Sequence, residues 1–178
     1  MRVVGGKHRG RALKRVLKPT TRETADMVKV AVFNMLMHHA QGVVLDLFAG
    51  SGAYGIEAIS RGATSVSFVD IDKDAIKTIK ENLTMLNELE RAQLFHMPYE
   101  IYLKALKPDQ TYDVIFLDPP YQLHVYQELI KTLSSHVSEN GVIVCESAKQ
   151  LDLPDDISGL FKRKEKVYGI KKITIYQR

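Results

Sequence analysis

From Val43 to Glu146 the chain alternates short apolar runs with amphipathic ones, and this pattern limits its fold more than any other feature. Residues 43–48 (VVLDLF), 65–70 (SVSFVD), 93–97 (QLFHM), 112–118 (YDVIFLD) and 141–146 (GVIVCE) read as strands. Between them, residues 56–60, 73–85, 99–106 and 125–136 read as helices. Around 73–85, Ala75, Ile76, Ile79, Leu83 and Leu86 recur on one side. Strands that are apolar almost throughout bury both faces, which implies a parallel sheet covered by helices on each side. Residues 162–168 and 173–176, parted at Gly169, read as a terminal hairpin added to the sheet edge.

Five alternating strands plus a hairpin give seven, mostly parallel with an antiparallel end. That is the α/β, Rossmann-like arrangement of class I S-adenosylmethionine-dependent methyltransferases. Ligands of such sheets bind beyond the carboxyl ends of the strands. The chain has 178 residues, 45% of them apolar, enough for one domain with a real core. No apolar run approaches a membrane span, and MRVVGGKHRGR holds no stretch of signal-peptide length. A cytoplasmic protein without membrane contact is expected. The single cysteine, Cys145, excludes an intrachain disulfide and a cysteine-based zinc site, and reads as a small buried hydrophobe.

The start of the chain differs in charge. Residues 1–30 hold nine Lys/Arg and two acids, a net +7, which leaves −3 for the remainder. A basic arm on a mildly acidic body is the footprint of a polyanion binder. Residues 1–23 read as that arm, with a turn at Gly5-Gly6 and a weak second strand near Ala12-Leu13. Residues 24–178 read as the main domain. It opens with a helix over 24–38, where Val28, Val32, Met35 and Leu36 recur at helical spacing and Thr24 or Asp26 would cap. Lys7, Arg9 and Arg11, with His8, are candidates to grip RNA phosphates.

Gly50, Gly52 and Gly55 form G-x-G-x-x-G between a strand and a helix, and Asp70 ends the next strand 20 residues after Gly50. Such glycines let the backbone approach a nucleoside ligand, and the acid accepts hydrogen bonds from ribose hydroxyls. The fingerprint alone fits NAD or S-adenosylmethionine. Asp46, four residues before Gly50, favours the second. A carboxylate there repels a pyrophosphate but suits the ammonium and sulfonium of the methyl donor. Glu57 adds negative charge nearby or faces solvent; Asp72 reads as a helix N-cap.

Residues 114–122 read VIFLDPPYQ. An exocyclic amine is a poor nucleophile because its lone pair is delocalised into the base. Two acceptors aimed at its N–H bonds draw the nitrogen towards tetrahedral geometry. Asp118 supplies one and the Pro119 carbonyl another, with Pro119 and Pro120 fixing the backbone in advance. Tyr121 offers a flat face on which an extruded base can stack.

Asp-Pro-Pro-Tyr resembles the catalytic motif of methyltransferases that act on exocyclic amines. More narrowly, nearly the whole chain resembles the bacterial RsmD-like family, which methylates guanine N2 in small-subunit (16S) ribosomal RNA. The stretches that carry the resemblance are RVVGGKHRGRAL, VFNML, LDLFAGSGAYGIEAISRGA, FVDIDKDAI, IFLDPPY and YGIKKITIY. It implies S-adenosylmethionine as donor, Asp118, Pro119, Pro120 and Tyr121 as the catalytic loop, and 16S rRNA of the small ribosomal subunit as substrate. The donor site then takes Asp46, Phe48, Gly50, Gly52, Asp70, Ile71, Pro98 and Tyr99, and Arg22 joins the arm in gripping RNA. The guanine rests on the resemblance alone.

Two stretches depart from the family. Arg-Pro-Thr-Thr-Asp before its first helix is here Arg22-Glu23-Thr24-Ala25-Asp26, without the rigid proline. The Asp-Ala pair near the adenine is here replaced within His96-Met97-Pro98-Tyr99. Adenine is therefore expected to meet apolar surface and Tyr99. His38-His39 read as helix-end residues, no metal is expected, and Tyr168-Gly169 reads as the edge turn. A monomer is expected, with an assembled subunit favoured over naked RNA. The rivals are an amino-methyltransferase acting on DNA or a protein amide, an NAD-dependent oxidoreductase, and a ribosome-assembly factor without activity.

Overall fold

A computed structural model describes residues 1–16, 26–37, 39–120 and 125–178. Strand β1 (Val43–Asp46) is followed by helix α2 (Ala53–Ser60), β2 (Ser65–Asp70), α3 (Lys73–Leu86), β3 (Ala92–His96), α4 (Tyr99–Ala105), β4 (Tyr112–Leu117), α5 (Tyr126–Leu133) and β5 (Val137–Ala148). Helix α1 (Asp26–Leu36) precedes them, and β6 (Asp156–Ile157), β7 (Leu160–Tyr168) and β8 (Lys171–Gln177) close the chain. All strands join one sheet in the order β3-β2-β1-β4-β5-β8-β7-β6. Strands β1 to β5 run parallel, and β8 and β7 add antiparallel to β5. This is the expected mixed sheet with one strand more. The two-residue β6 is its extra edge, turned back through Ser158 and Gly159, both with positive φ. Pro154 and Asp155 before it, and Asp156 within it, carry turn chemistry, which hides so short a strand from the sequence pattern.

Alternation along each strand builds two cores. Val44, Val114, Phe116, Val142, Val144, Ile173 and Ile175 face α1, α2 and α3. Leu45, Ile115, Leu117, Ile143, Cys145 and Tyr176 face the opposite way, towards residues of α4 and α5. A period of two across several paired strands fixes the register, because a slip of one residue would exchange the two cores. Helix α2 starts earlier than its apolar pattern suggested, because Gly52 (φ 78°) turns the chain into it. Strand β5 also starts earlier, and its pairing to β4 is irregular between Tyr112 and Val114. Gly141 sits against that irregularity, where a Cβ would lie 2.7 Å from the Tyr112 carbonyl oxygen.

The arm packs onto this body. Arg2 bridges Ala12 in a small antiparallel loop, and Val3 and Leu13 enter the core beside α1 and α2. The Gly5-Gly6 segment is docked on the end of α2. Lys7 N–H donates to the Ser60 carbonyl (2.7 Å), and the Ser60 hydroxyl donates to the Gly5 carbonyl (2.6 Å). A Cβ on Gly6 (φ 72°) would lie 1.9 Å from the Ser60 carbonyl oxygen, so the contact demands glycine. Further along, Lys14 exchanges backbone bonds with the Asn82 side chain on α3, and Val16 N–H donates to the Ser51 hydroxyl (3.0 Å). The arm therefore ends its described course at the glycine loop.

Candidate active site

The sheet reverses its strand order between β1 and β4, and the candidate residues collect at the carboxyl edge around that point. Asp46 ends β1, Asp70 ends β2 and Asp118 follows β4. Between β1 and α2 the chain turns through Gly50 (φ 53°) and Gly52 (φ 78°). Gly50 N–H donates to Asp70 Oδ2 (2.7 Å), and Asp72 N–H to Asp70 Oδ1 (2.8 Å). The second-strand acid thus holds the glycine loop in place. A Cβ built on Gly50 meets nothing within 4 Å, so the loop presents open backbone there. Gly55 does the opposite: its Cβ would lie 2.2 Å from Phe68, so this glycine brings α2 close to β2. Asp72 caps α3 through Asp74 N–H, as expected.

Asp46 is 3% exposed and accepts the Gly55 N–H (2.9 Å) at the start of α2. Burial raises its pKa to about 7; the Gly55 bond opposes this and the Asp70 charge adds to it. Phe48 and Tyr99 face each other with ring centroids 5.1 Å apart. They form an aromatic wall between the β1 and β3 ends. Pro98 opens α4, and Ile71 stands 70% exposed beside Asp70. His96 meets the Ile71 carbonyl (3.1 Å), and Met97 N–H donates to the Asp70 carbonyl (3.1 Å). The sequence-predicted donor set therefore gathers on one edge.

Asp118 is half-buried, Pro119 buried and Pro120 exposed. Asp118 is raised well above the ordinary carboxylate range by burial, with the Glu146 and Asp46 charges adding and Lys171 opposing. Tyr121 and Arg22 lie outside the described residues, as do Thr24 and His38. His39 stands in a short 3-10 turn after α1.

The arm cations are partly committed. Lys7 Nζ lies 2.9 Å and His8 Nε2 2.6 Å from the buried Glu88 carboxylate. Burial acts to raise Glu88, but the bonds from His8 and Lys7 outweigh it and hold it below the usual range. Arg2 pairs with Asp26 (3.0 Å) and Lys14 with Glu81 (2.9 Å). Lys29 is fully buried, with Nζ 2.5 Å from the Arg2 carbonyl and 3.7 Å from Glu57. Its charge belongs to the interior, not to an RNA-facing surface. Arg9 and Arg11 are exposed. Glu57 corrects its expectation. It neither faces solvent nor leans to the donor loop, but accepts from Val4 N–H (2.8 Å) and Arg61 Nε (2.8 Å) under the arm.

The sequence pattern missed a polar group in the core. Tyr54 on α2 donates to Glu146 Oε2, and Lys171 Nζ pairs with Glu146 Oε1. Tyr54 also stacks on Phe116, with centroids 4.7 Å apart and planes 11° apart. An acid inside the apolar run VIVCE was the available signal.

The family model described as "Conserved hypothetical protein 95" matches residues 1–177. "Putative rRNA methyltransferase YlbH" of Bacillus subtilis is 39% identical, over 100% of this chain and 99% of its own length. "Ribosomal RNA small subunit methyltransferase D" of Haemophilus influenzae is 35% identical, over 99% and 93% respectively. The solved "Putative methyltransferase yhhF from Escherichia coli" superposes with a TM-score of 0.87 at 29% identity, covering 100% of this chain and 97% of that one. These findings bear out the RsmD-like resemblance and the methyltransferase fold.

Proposed function

The chain belongs to the family described as conserved hypothetical protein 95, and from that premise we propose that it methylates ribosomal RNA with S-adenosylmethionine, at the exocyclic N2 of a guanine in the 16S rRNA of the small subunit. The observation that carries this reading is the placing of Asp118-Pro119-Pro120 at the switch point, on the same edge as the Gly50 loop and its Asp70 clasp. The names of its relatives support rRNA as the substrate class.

The residues fit the donor. Gly50 offers open backbone, Asp70 is the acid proposed for ribose hydroxyls beside the bonds it accepts from Gly50 and Asp72, and Phe48 with Tyr99 gives an apolar wall suited to adenine. Asp46, Asp70 and Asp118 line this edge with acid, which favours a cationic ligand over a pyrophosphate. Bound there, the donor supplies an electrophilic methyl on its sulfonium. Asp118 and the Pro119 carbonyl then accept from the guanine N2 hydrogens, and Tyr121 stacks on the base. As the N–C bond forms, the methyl–sulfur bond breaks with its electron pair left on sulfur, and one N2 proton passes to Asp118 or water. Arg9, Arg11 and Arg22 hold RNA phosphates, which fixes position without reading sequence. The protein acts as a monomer in the cytoplasm, and the assembled subunit supplies the specificity that so small an arm lacks.

Transfer of labelled methyl to three acceptors tests this: undermethylated small subunits, protein-free 16S RNA and duplex DNA. Label in subunits or RNA, digesting to N2-methylguanosine, is expected. Label confined to DNA, or released as another nucleoside, overturns the assignment of substrate.

A further inference from the structure

Behind the Asp118 loop lies a polar unit that no step above uses. Glu146 is 1% exposed, directly after the buried apolar run Val142–Cys145 of β5. A buried carboxylate is costly unless it is paired and hydrogen-bonded. Here it is both. Lys171, reaching across from the antiparallel neighbour β8, engages one oxygen, and the Tyr54 hydroxyl from α2 engages the other. Tyr126 also donates to the Glu146 backbone carbonyl (2.5 Å), which pins β5 to α5. Two elements thus commit polar side chains to one carboxylate, although an apolar residue would serve packing alone at least as well.

What sets this carboxylate apart is its neighbour. Leu117 pairs with Cys145 across the parallel strands β4 and β5, so Asp118 and Glu146 are the next residues along neighbouring strands. Among the described residues the charges of Glu146, of Lys171 from β8 and of Asp46 from β1 act on Asp118, and those of all three acids act on Tyr54 of α2. Three carboxyl groups therefore share one ammonium among the described residues. Lys171 engages Glu146 while its field also reaches Asp118, so moving or removing either partner changes the charge that Asp118 meets.

We propose that Glu146, Lys171 and Tyr54 are positioning residues for methyl transfer: a buried, hydrogen-bonded unit that fixes one paired charge behind Asp118 and so sets whether Asp118 meets the substrate amine as an acceptor. The unit touches neither donor nor base. Its meaning rests on the methyl-transfer reading, but its test does not. Glu146→Gln keeps the shape and one acceptor oxygen while removing a negative charge, so Asp118 ionises at lower pH. Lys171→Met removes the positive charge, so Asp118 ionises at higher pH. The pair Glu146→Gln with Lys171→Met removes one charge of each sign and returns Asp118 towards wild type.

The experiment is carbon-13 NMR of aspartate-labelled full-length protein, with the Asp118 carboxyl signal assigned by its loss in Asp118→Asn. Opposite displacements of the Asp118 midpoint in the two single variants, largely cancelled in the double, are expected. Midpoints that coincide with wild type, or move in the same direction, overturn the proposal. If Lys171→Met does not fold, the downward move in Glu146→Gln decides it alone: its absence overturns the unit's role. The acid limb of kcat/KM for methyl transfer should follow the same displacements, which a merely structural unit would not produce. Absence of transfer by wild type to any RNA would refute the function while leaving the NMR result to stand or fall by itself.

Discussion

Lys29 lies beneath the arm with Glu57, and Lys171 lies beneath the β4 loop with Glu146. Both ammonium groups are shut away from water beside a carboxylate, yet their surroundings differ in balance. Around Lys29, the acids Glu57 and Asp26 face the cations Lys29, Arg61 and Arg2, and Glu57 also accepts the Val4 N–H of the arm. Each acid there meets a cation of the fold. Burial pushes Lys29 below its usual value, with Glu57 and Asp26 opposing. Around Lys171, the acids Asp46, Asp118 and Glu146 outnumber the lysine among the described residues. The first cluster stitches the arm to α1 and α2. The second leaves an acid-rich edge that suits a ligand bearing both an ammonium and a sulfonium. Balance of buried charge, more than its presence, separates the stitch from the site.

The sharpest way to break this comparison is Lys29→Met. It strands Glu57 with a partner lost, and breaking a buried pair in this way costs about 3–5 kcal/mol. Urea melts should show that loss, while the Asp118 titration stays where it was. A displaced Asp118 midpoint would mean that the two clusters are not separate. Next in size, Asp118→Ala should slow methyl transfer by about 10²–10³-fold, as removal of a preorganised transition-state acceptor does, with the melting curve nearly unchanged. Gly55→Ala should cost about 1–3 kcal/mol through its clash with Phe68. It should also weaken donor binding, because moving α2 away from Phe68 carries the residue-55 N–H away from Asp46.

Asp46 gives a pH-resolved contrast. Its folded pKa, about 7, lies above the unfolded value near 3.8, so the folded state holds the proton more tightly. Its contribution to stability is complete below the unfolded value and is lost as pH rises through about 7. Asp46→Asn should therefore melt above wild type at pH 8, and the advantage should shrink as pH falls and vanish only below the unfolded value near 3.8. Donor affinity should rise with pH through about 7 in wild type, and that rise should be absent in the variant. The smallest effect belongs to the arm. Arg9→Ala and Arg11→Ala should each lower the slope of log affinity against log salt by about one, with little change in which RNA is bound.

The carboxyl edge was legible because its chemistry is local in sequence. G-x-G-x-x-G and Asp-Pro-Pro follow strands, Asp70 ends one, and parallel strands deliver their ends to one side. The distinct work of the glycines was not legible: Gly50 exposes backbone, whereas Gly55 brings a helix onto Phe68. Glu146 and Tyr54 stand 92 residues apart in the chain, and Lys171 comes from a further strand. No spacing rule could join them. The arm was legible as charge but not as structure. Counting Lys29 and Lys7 with Arg9 took no account of Glu57 and Glu88, whose burial appears only once the chain is folded. The extra strand β6 escaped because two residues carry no period.

One single-turnover experiment tests the role of Asp118 and the identity of the base together. Small ribosomal subunits lacking the methyl group are mixed with donor-saturated enzyme, wild type beside Asp118→Ala, and the RNA is digested to nucleosides. Label appearing as N2-methylguanosine with wild type, and slowed by two to three orders of magnitude in the variant (about 10²–10³-fold), is the predicted result. Equal rates in the two proteins, or label in any other nucleoside, would contradict it.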